Sequence, residues 1–131
     1  MSIDAIGDFL TIIRNGLMVS KRSVEIPYSM VKLEIVKILD QEGFIKGFSV
    51  IEEENAHKKI KVSLKYVGGE SVIHELTRIS RPGRREYRKS DNLSCVIGKL
   101  GISVLTTSKG IMTDKRAKEL SVGGEIICTV W

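Results

Sequence analysis

The stretch Lys58-Lys59-Ile60-Lys61-Val62-Ser63-Leu64-Lys65-Tyr66-Val67-Gly68-Gly69 decides how this chain folds. Ile60, Val62, Leu64 and Tyr66 alternate with Lys59, Lys61, Ser63 and Lys65, which predicts a half-buried strand over 58–67. Gly68-Gly69 ends it and marks a boundary between two lobes. Reading back from the strand, Glu53-Glu54-Asn55 makes a turn and Phe44 to Ile51 a partner strand. Before that, Ser29 caps a helix that runs to Glu42 and stops at Gly43. Ser23 to Pro27 reads as an extended link. Residues 2–20 form an opening helix whose apolar stripe is Ile3, Ile6, Phe9, Leu10, Ile13 and Leu17. Ser2 or Asp4 caps it, and Thr11, Arg14 and Asn15 lie on its other face.

Reading forward, Val72 to Ser80 is expected as a strand, followed by the basic loop Arg81-Pro82-Gly83-Arg84-Arg85 and short elements through Leu100. Ile102 to Thr106 is a strand, Thr107 to Gly110 a polar loop, and Thr113 caps a short helix to Leu120. Gly123-Gly124 turns into a last strand, Glu125 to Trp131, with Ile126, Cys128 and Val130 alternating with Ile127, Thr129 and Trp131. The fold class is therefore α+β in two small lobes. Residues 1–67 are helix-strand-helix-strand-strand, and residues 68–131 are mostly β with one short helix.

The bulk numbers narrow the function. The chain has 131 residues, 42% of them hydrophobic and 28% charged, with a net charge of +5. Residues 1–67 hold ten Lys or Arg against nine Asp or Glu, whereas residues 68–131 hold eleven against seven. The second lobe thus carries most of the excess, and a polyanion is the expected partner. No apolar run is long enough to span a bilayer, and the start lacks the pattern of a signal peptide, so no membrane role is expected. Cys95 and Cys128 suit a reducing compartment. With His57 and His74 they form no ligand spacing, so neither metal nor cofactor is expected.

Two segments could carry chemistry. Arg78, Arg81, Arg84, Arg85, Arg88 and Lys89 surround one acid, Glu86, and an aromatic, Tyr87. A solvated loop would also be charged. Arginine's planar fork matches phosphate oxygens, however, and a tyrosine among the cations offers a stacking face for a base. The second segment, Thr106-Thr107-Ser108-Lys109-Gly110, joins three hydroxyls, a cation and a glycine. Hydroxyls can bond a base edge, a 2′-OH or a phosphate, and the helix start that follows would add partial positive charge. The phosphate-loop spacing and the nucleophile-elbow motif are both absent. Two rivals to RNA binding stand: an enzyme taking a phosphorylated small molecule at the 106–113 loop, and a DNA-binding regulator.

The chain resembles the small-subunit ribosomal protein S-eight family along nearly its whole length. The residues that carry the resemblance are Asp4, Asp8, Thr11, Arg14 and Asn15; Ile26-Pro27, Ser29 and Lys32; Arg78-Ile79-Ser80-Arg81-Pro82-Gly83-Arg84-Arg85 with Tyr87; Thr107 to Asp114; and Val122-Gly123-Gly124-Glu125. The resemblance implies a structural constituent of the small ribosomal subunit that binds its RNA directly and helps organise the central region during assembly. It implies no catalysis and no small-molecule substrate. The partners it implies are small-subunit ribosomal RNA, neighbouring ribosomal proteins and the protein's own operon messenger, in cytoplasmic ribosomes or those of an organelle. RNA contacts would fall to Thr106, Thr107, Ser108, Lys109, Gly110, Tyr87 and Glu125, with Arg81, Arg84, Arg85 and Arg88. Auxiliary contacts would fall to Asp4, Thr11, Arg14, Asn15, Ser29 and Lys32. Some positions depart from the family: Ile12 and Met30 stand where it commonly has basic residues, and Ser94-Cys95 replace a proline and a basic residue.

Overall fold

A computed structural model describes residues 4–54, 57–90 and 101–131. The turn expected at Asn55, the cap at Ser2, the elements between 91 and 100, and Ser94-Cys95 lie outside these residues. The fold is α+β and divides into two compact units, Asp8–Ile73 and the pair of segments Met1–Gly7 and His74–Trp131.

In the first unit, helix α1 (Ala5–Met18) buries Phe9, Leu10, Ile13 and Gly16. Its start falls at Ala5 because Asp4 caps it, accepting from the Gly7 N–H at 3.1 Å. Helix α2 (Met30–Gln41) begins where the Ser29 hydroxyl accepts from the Lys32 N–H, and buries Ile35, Val36, Ile38 and Leu39. Strands β1 (Ser23–Pro27), β2 (Ile45–Glu52) and β3 (Lys58–Leu64) form an antiparallel sheet in the order β1-β3-β2. The expected link at Ser23–Pro27 is thus a full edge strand, registered from Ser23 opposite Ser63 to Pro27 opposite Lys59.

Alternation holds through β3, with Ile60, Val62 and Leu64 buried, and fails at Tyr66. The strand ends at Leu64, Lys65 lies outside it, and the Tyr66 hydroxyl donates to the Lys21 carbonyl at 2.6 Å. Tyr66–Val67 and Glu70–Ser71 then form a two-strand hairpin, β4 and β5, with Gly68-Gly69 at its turn.

The second unit is a five-stranded sheet around a long central strand. β6 (Leu76–Arg78) and β7 (Tyr87–Arg88) pair along one edge of β10 (Gly124–Val130), and β8 (Ile102–Thr107) pairs along the other. β9 (Gly110–Thr113) hairpins back on β8, and helix α3 (Asp114–Glu119) follows. The strand expected over 72–80 shrinks to Leu76–Arg78. Glu75 and Trp131 still exchange backbone hydrogen bonds at 2.9 and 3.1 Å, but the His74 N–H also turns onto the Trp131 carbonyl, and the pairing stops there. Leu105, Met112, Ala117 and Ile126 form a core cluster beneath α3, with Ile79, Leu120 and Val122 against it.

The regular alternation expected in the last strand is overturned. A bulge between Ile126 and Cys128 shifts the register, so Ile126 pairs with Leu105 while Cys128 pairs with Val104. Leu105 and Val104 are neighbours on β8 and point to opposite faces, so Ile126 and Cys128 do too.

Candidate nucleic-acid interface

Register builds the site. Glu125 on β10 lies opposite Tyr87 on β7 and Thr106 on β8, and Thr106 lies opposite Ile111 on β9. Opposed residues share a face with Cβ atoms about 4.5–5.5 Å apart. Tyr87, Glu125 and Thr106, distant in sequence, therefore stand in one row. Tyr87 is 64% exposed, so its ring is open to stacking. The Glu125 side chain is only 15% exposed, and Arg85 Nη1 donates to its Oε2 at 3.0 Å. One bond leaves the carboxylate with further lone pairs to offer.

The next row holds Arg88, Gly124, Thr107 and Gly110. Here the glycines are required by proximity. A Cβ at Gly124 would sit 2.3 Å from the Thr106 carbonyl oxygen, and one at Gly123 would sit 2.4 Å from that of Arg88. Beside them opens a depression of about 790 Å³ lined by Tyr87, Arg88, Lys89, Ser90 and the two glycines. Lys89 belongs to the basic segment already singled out, whereas Ser90, Gly123 and Gly124 were not predicted for the site. The double glycine was the available signal, and it reads equally well as a turn.

Ser108 and Lys109 form the two-residue turn between β8 and β9. Thr107 Oγ1 locks this turn, donating to the Gly110 carbonyl at 2.8 Å and accepting from the Lys109 N–H at 3.1 Å. Gly110 adopts φ +111, which an L side chain would resist. Thr107 and Gly110 thus shape the turn. Thr106, Ser108 and Lys109 have no side-chain partner among the described residues, and Ser108 and Lys109 are exposed. The expected help from the helix start does not reach them. Strand β9 intervenes, Thr113 caps α3 at its far end, and Asp114 there accepts from the Ser103 N–H at 3.2 Å. Three residues of strand set the cap back by about 10 Å, beyond the short range of a helix dipole.

The basic segment is more neutralised than its sequence suggests. Arg81 and Arg84 exchange backbone hydrogen bonds at 2.9 Å, so Pro82-Gly83 is a tight hairpin turn. The buried Ser80 hydroxyl accepts from the Glu86 N–H at 2.8 Å and closes the loop. Arg84 and Arg88 both pair with Glu86, at 3.2 and 3.4 Å, and Arg85 is held by Glu125. Arg78 turns inward, its side chain 10% exposed. It pairs with Asp4 at 3.1 Å, and its Nε donates to the Ser80 carbonyl. Among the described residues, Arg81 and Lys89 alone of the six cations carry no ion pair.

The auxiliary residues do not all converge. Asp4 caps α1 and holds Arg78. Thr11, Arg14 and Asn15 are exposed on α1, with Arg14 Nη2 donating to Thr11 Oγ1 at 3.5 Å. Ser29 caps α2, and Lys32 is buried, its Nζ donating to the Pro27 carbonyl at 3.1 Å. Apart from Asp4, these lie in the Asp8–Ile73 unit. Burial pushes the Cys128 thiol up to about 12, partly offset by Arg78, which makes it an inert core residue.

Comparison with known proteins matches these residues to one family. The family described as Ribosomal protein S8 matches residues 4–131. The small ribosomal subunit protein uS8 of Thermodesulfovibrio yellowstonii is 48% identical over 132 residues, covering both chains completely. That of Buchnera aphidicola subsp. Schizaphis graminum is 47% identical over 97% of this chain and 96% of its own. That of Paracidovorax citrulli is 46% identical over the same shares.

Proposed function

This chain belongs to the ribosomal protein S8 family and is a structural component of the small ribosomal subunit, not an enzyme; from that premise we propose that it binds small-subunit ribosomal RNA directly. The observation that carries this reading is the row Tyr87–Glu125–Thr106 beside the Ser108-Lys109 turn. A regular RNA helix hides its base edges in a deep, narrow groove. A site with a stacking ring, free hydroxyls and one acceptor carboxylate suits an irregular helix whose bases are displaced. The arginines of the 81–88 hairpin approach the backbone. Arg78, Asp4, Thr107 and Gly110 act by holding the surface in shape.

On this reading the protein helps organise the central region of the RNA during assembly and lies against neighbouring ribosomal proteins. Thr11, Arg14 and Asn15 supply auxiliary RNA contacts, while Ser29 and Lys32 fix the start of α2. A messenger of its own operon that copies the RNA shape would compete for the same row and limit synthesis. The protein works where those ribosomes are, in the cytoplasm.

Ser108→Ala tests the site, because the exposed hydroxyl supports no internal contact. A hydrogen bond to a charged group contributes about 1.5–3 kcal/mol, roughly a 10- to 150-fold loss of affinity. The assay is filter binding to a small-subunit RNA helix carrying an internal irregularity, with a regular RNA duplex and a DNA duplex as controls. Unchanged affinity, or equal binding to all three, would refute the proposal.

A further inference from the structure

We infer that the open face of the β1-β3-β2 sheet is a second RNA-binding surface, taking phosphodiester backbone separately from the Tyr87–Glu125–Thr106 row. The two helices account for one side of this sheet's strands, whose buried residues are Val24, Ile26, Ile60, Val62 and Leu64. The other side presents Ser23, Ser63 and Gly47 in one row and Glu25, Lys61 and Ser49 in the next. At the end of β3 nearest Leu64 lies an open depression of about 850 Å³, ringed by Arg22, Lys46, Lys61 and Lys65 and lined by no carboxylate.

The absence of acid from the lining of this depression decides the partner's charge. None of these four cations makes an ion pair among the described residues. Lys65 instead donates to the Gly43 carbonyl at 3.4 Å. Glu25 stands opposite Lys61 across the sheet without pairing to it, and the acids at the far end are already engaged: Glu52 by Lys58 and Glu53 by Lys59. In the 81–88 hairpin, by contrast, three arginines are matched by Glu86 and Glu125. A concave surface lined by one sign of charge focuses the field and draws counter-charge to it.

RNA fits better than an acidic protein segment because the cations are interleaved with hydroxyls. Ser23, Ser49 and Ser63 can donate to phosphate oxygens and also accept from a 2′-OH, which a carboxylate partner does not offer.

The test is amine acetylation of the full-length protein, read by mass spectrometry, with and without a 20-base-pair RNA duplex of arbitrary sequence. Lys46 and Lys61 should label several-fold more slowly when the duplex is present. Labelling of Lys89 and Lys109 reports the other site independently, so failure of one surface is distinguishable from failure of the other. Unchanged rates at Lys46 and Lys61 would overturn the inference. So would equal protection by poly-glutamate, which would indicate an acidic protein partner. Both lysines are exposed, so K46Q/K61Q should fold normally and lower the salt slope of duplex binding by about two units, roughly 0.9 per lost phosphate contact. An unaltered slope in a protein that melts like the wild type would also overturn it.

Discussion

Replacing Glu125 by glutamine should move specific and non-specific RNA binding in opposite directions. The wild-type carboxylate holds Arg85 at 3.0 Å, with side chains 15% and 52% exposed. Because Arg85 is half in solvent, screening limits the pair to at most about 1 kcal/mol of stability, and the melting temperature should fall by only a few degrees. Binding is affected more. Glutamine frees Arg85 and removes one negative charge, so affinity for a regular RNA duplex should rise and its salt slope steepen by about 0.9. Glutamine's carbonyl still accepts a bond from a displaced base, but charge-assisted bonds are roughly twice as strong as neutral ones. Losing that difference costs about 1 kcal/mol, so affinity for the irregular small-subunit helix should fall roughly fivefold. The assay is a pair of salt titrations by filter binding, one on each RNA. If both RNAs bind more tightly by the same factor, Glu125 only neutralises Arg85, and the reasoning that makes it an acceptor fails.

Two further substitutions test the framework of the site. Gly124→Ala would place a methyl 2.3 Å from the Thr106 carbonyl oxygen, where backbone must give way; overpacking of this kind costs about 1–3 kcal/mol. Urea unfolding should show that loss, and specific RNA binding should weaken with it as Glu125 and Thr106 are forced apart. Asp4→Asn should keep much of the α1 cap but leave Arg78, 10% exposed, without its charge partner. Since Asp4 is itself 31% exposed, the expected cost is about 1–3 kcal/mol, below that of a fully buried pair. The same variant should show an unchanged salt slope for RNA, because neither group is counted among the backbone contacts.

Local elements were legible in the sequence because local rules set them. The caps at Ser29 and Thr113, the apolar stripe of α1 and the alternation of Ile60, Val62 and Leu64 each follow from spacing alone. What could not be read there depends on partners far along the chain. The run from Arg78 to Lys89 looks like bare positive charge until Asp4, Glu86 and Glu125 are brought to it. Arg22, Lys46, Lys61 and Lys65 look unremarkable in a near-neutral half until one depression gathers them with no acid in its lining. Segment net charge counts residues, whereas a partner responds to the charge left unpaired at one surface.

The bulge in β10 was equally hidden, and the site depends on it. Below the bulge Cys128 and Val130 share a face with Val104 and Ile102, all buried. Strict alternation from that point would send Ile126 to the same face and turn Glu125 toward the core under α3. A carboxylate buried there would lack the Arg85 contact, and the cluster of Leu105, Met112 and Ala117 would lose Ile126. Setting Ile127 out of register avoids both at once. Its carbonyl and that of Ile126 accept from the Ile79 and Ser80 N–H groups at 3.1 and 3.0 Å, and the Ile126 N–H donates to the Glu86 carbonyl at 2.9 Å, so the irregular strand keeps its hydrogen bonds. Because a one-residue change of register reverses every side chain beyond it, the bulge places Glu125 beside Tyr87 and Thr106. Deleting Ile127 would set Ile126 and Cys128 in plain alternation opposite Leu105 and Val104, so Glu125 should stay beside Tyr87 and Thr106. Filter binding should then show specific RNA recognition retained in molecules that fold; its loss there would refute the view that the facing of Glu125 is what the bulge secures.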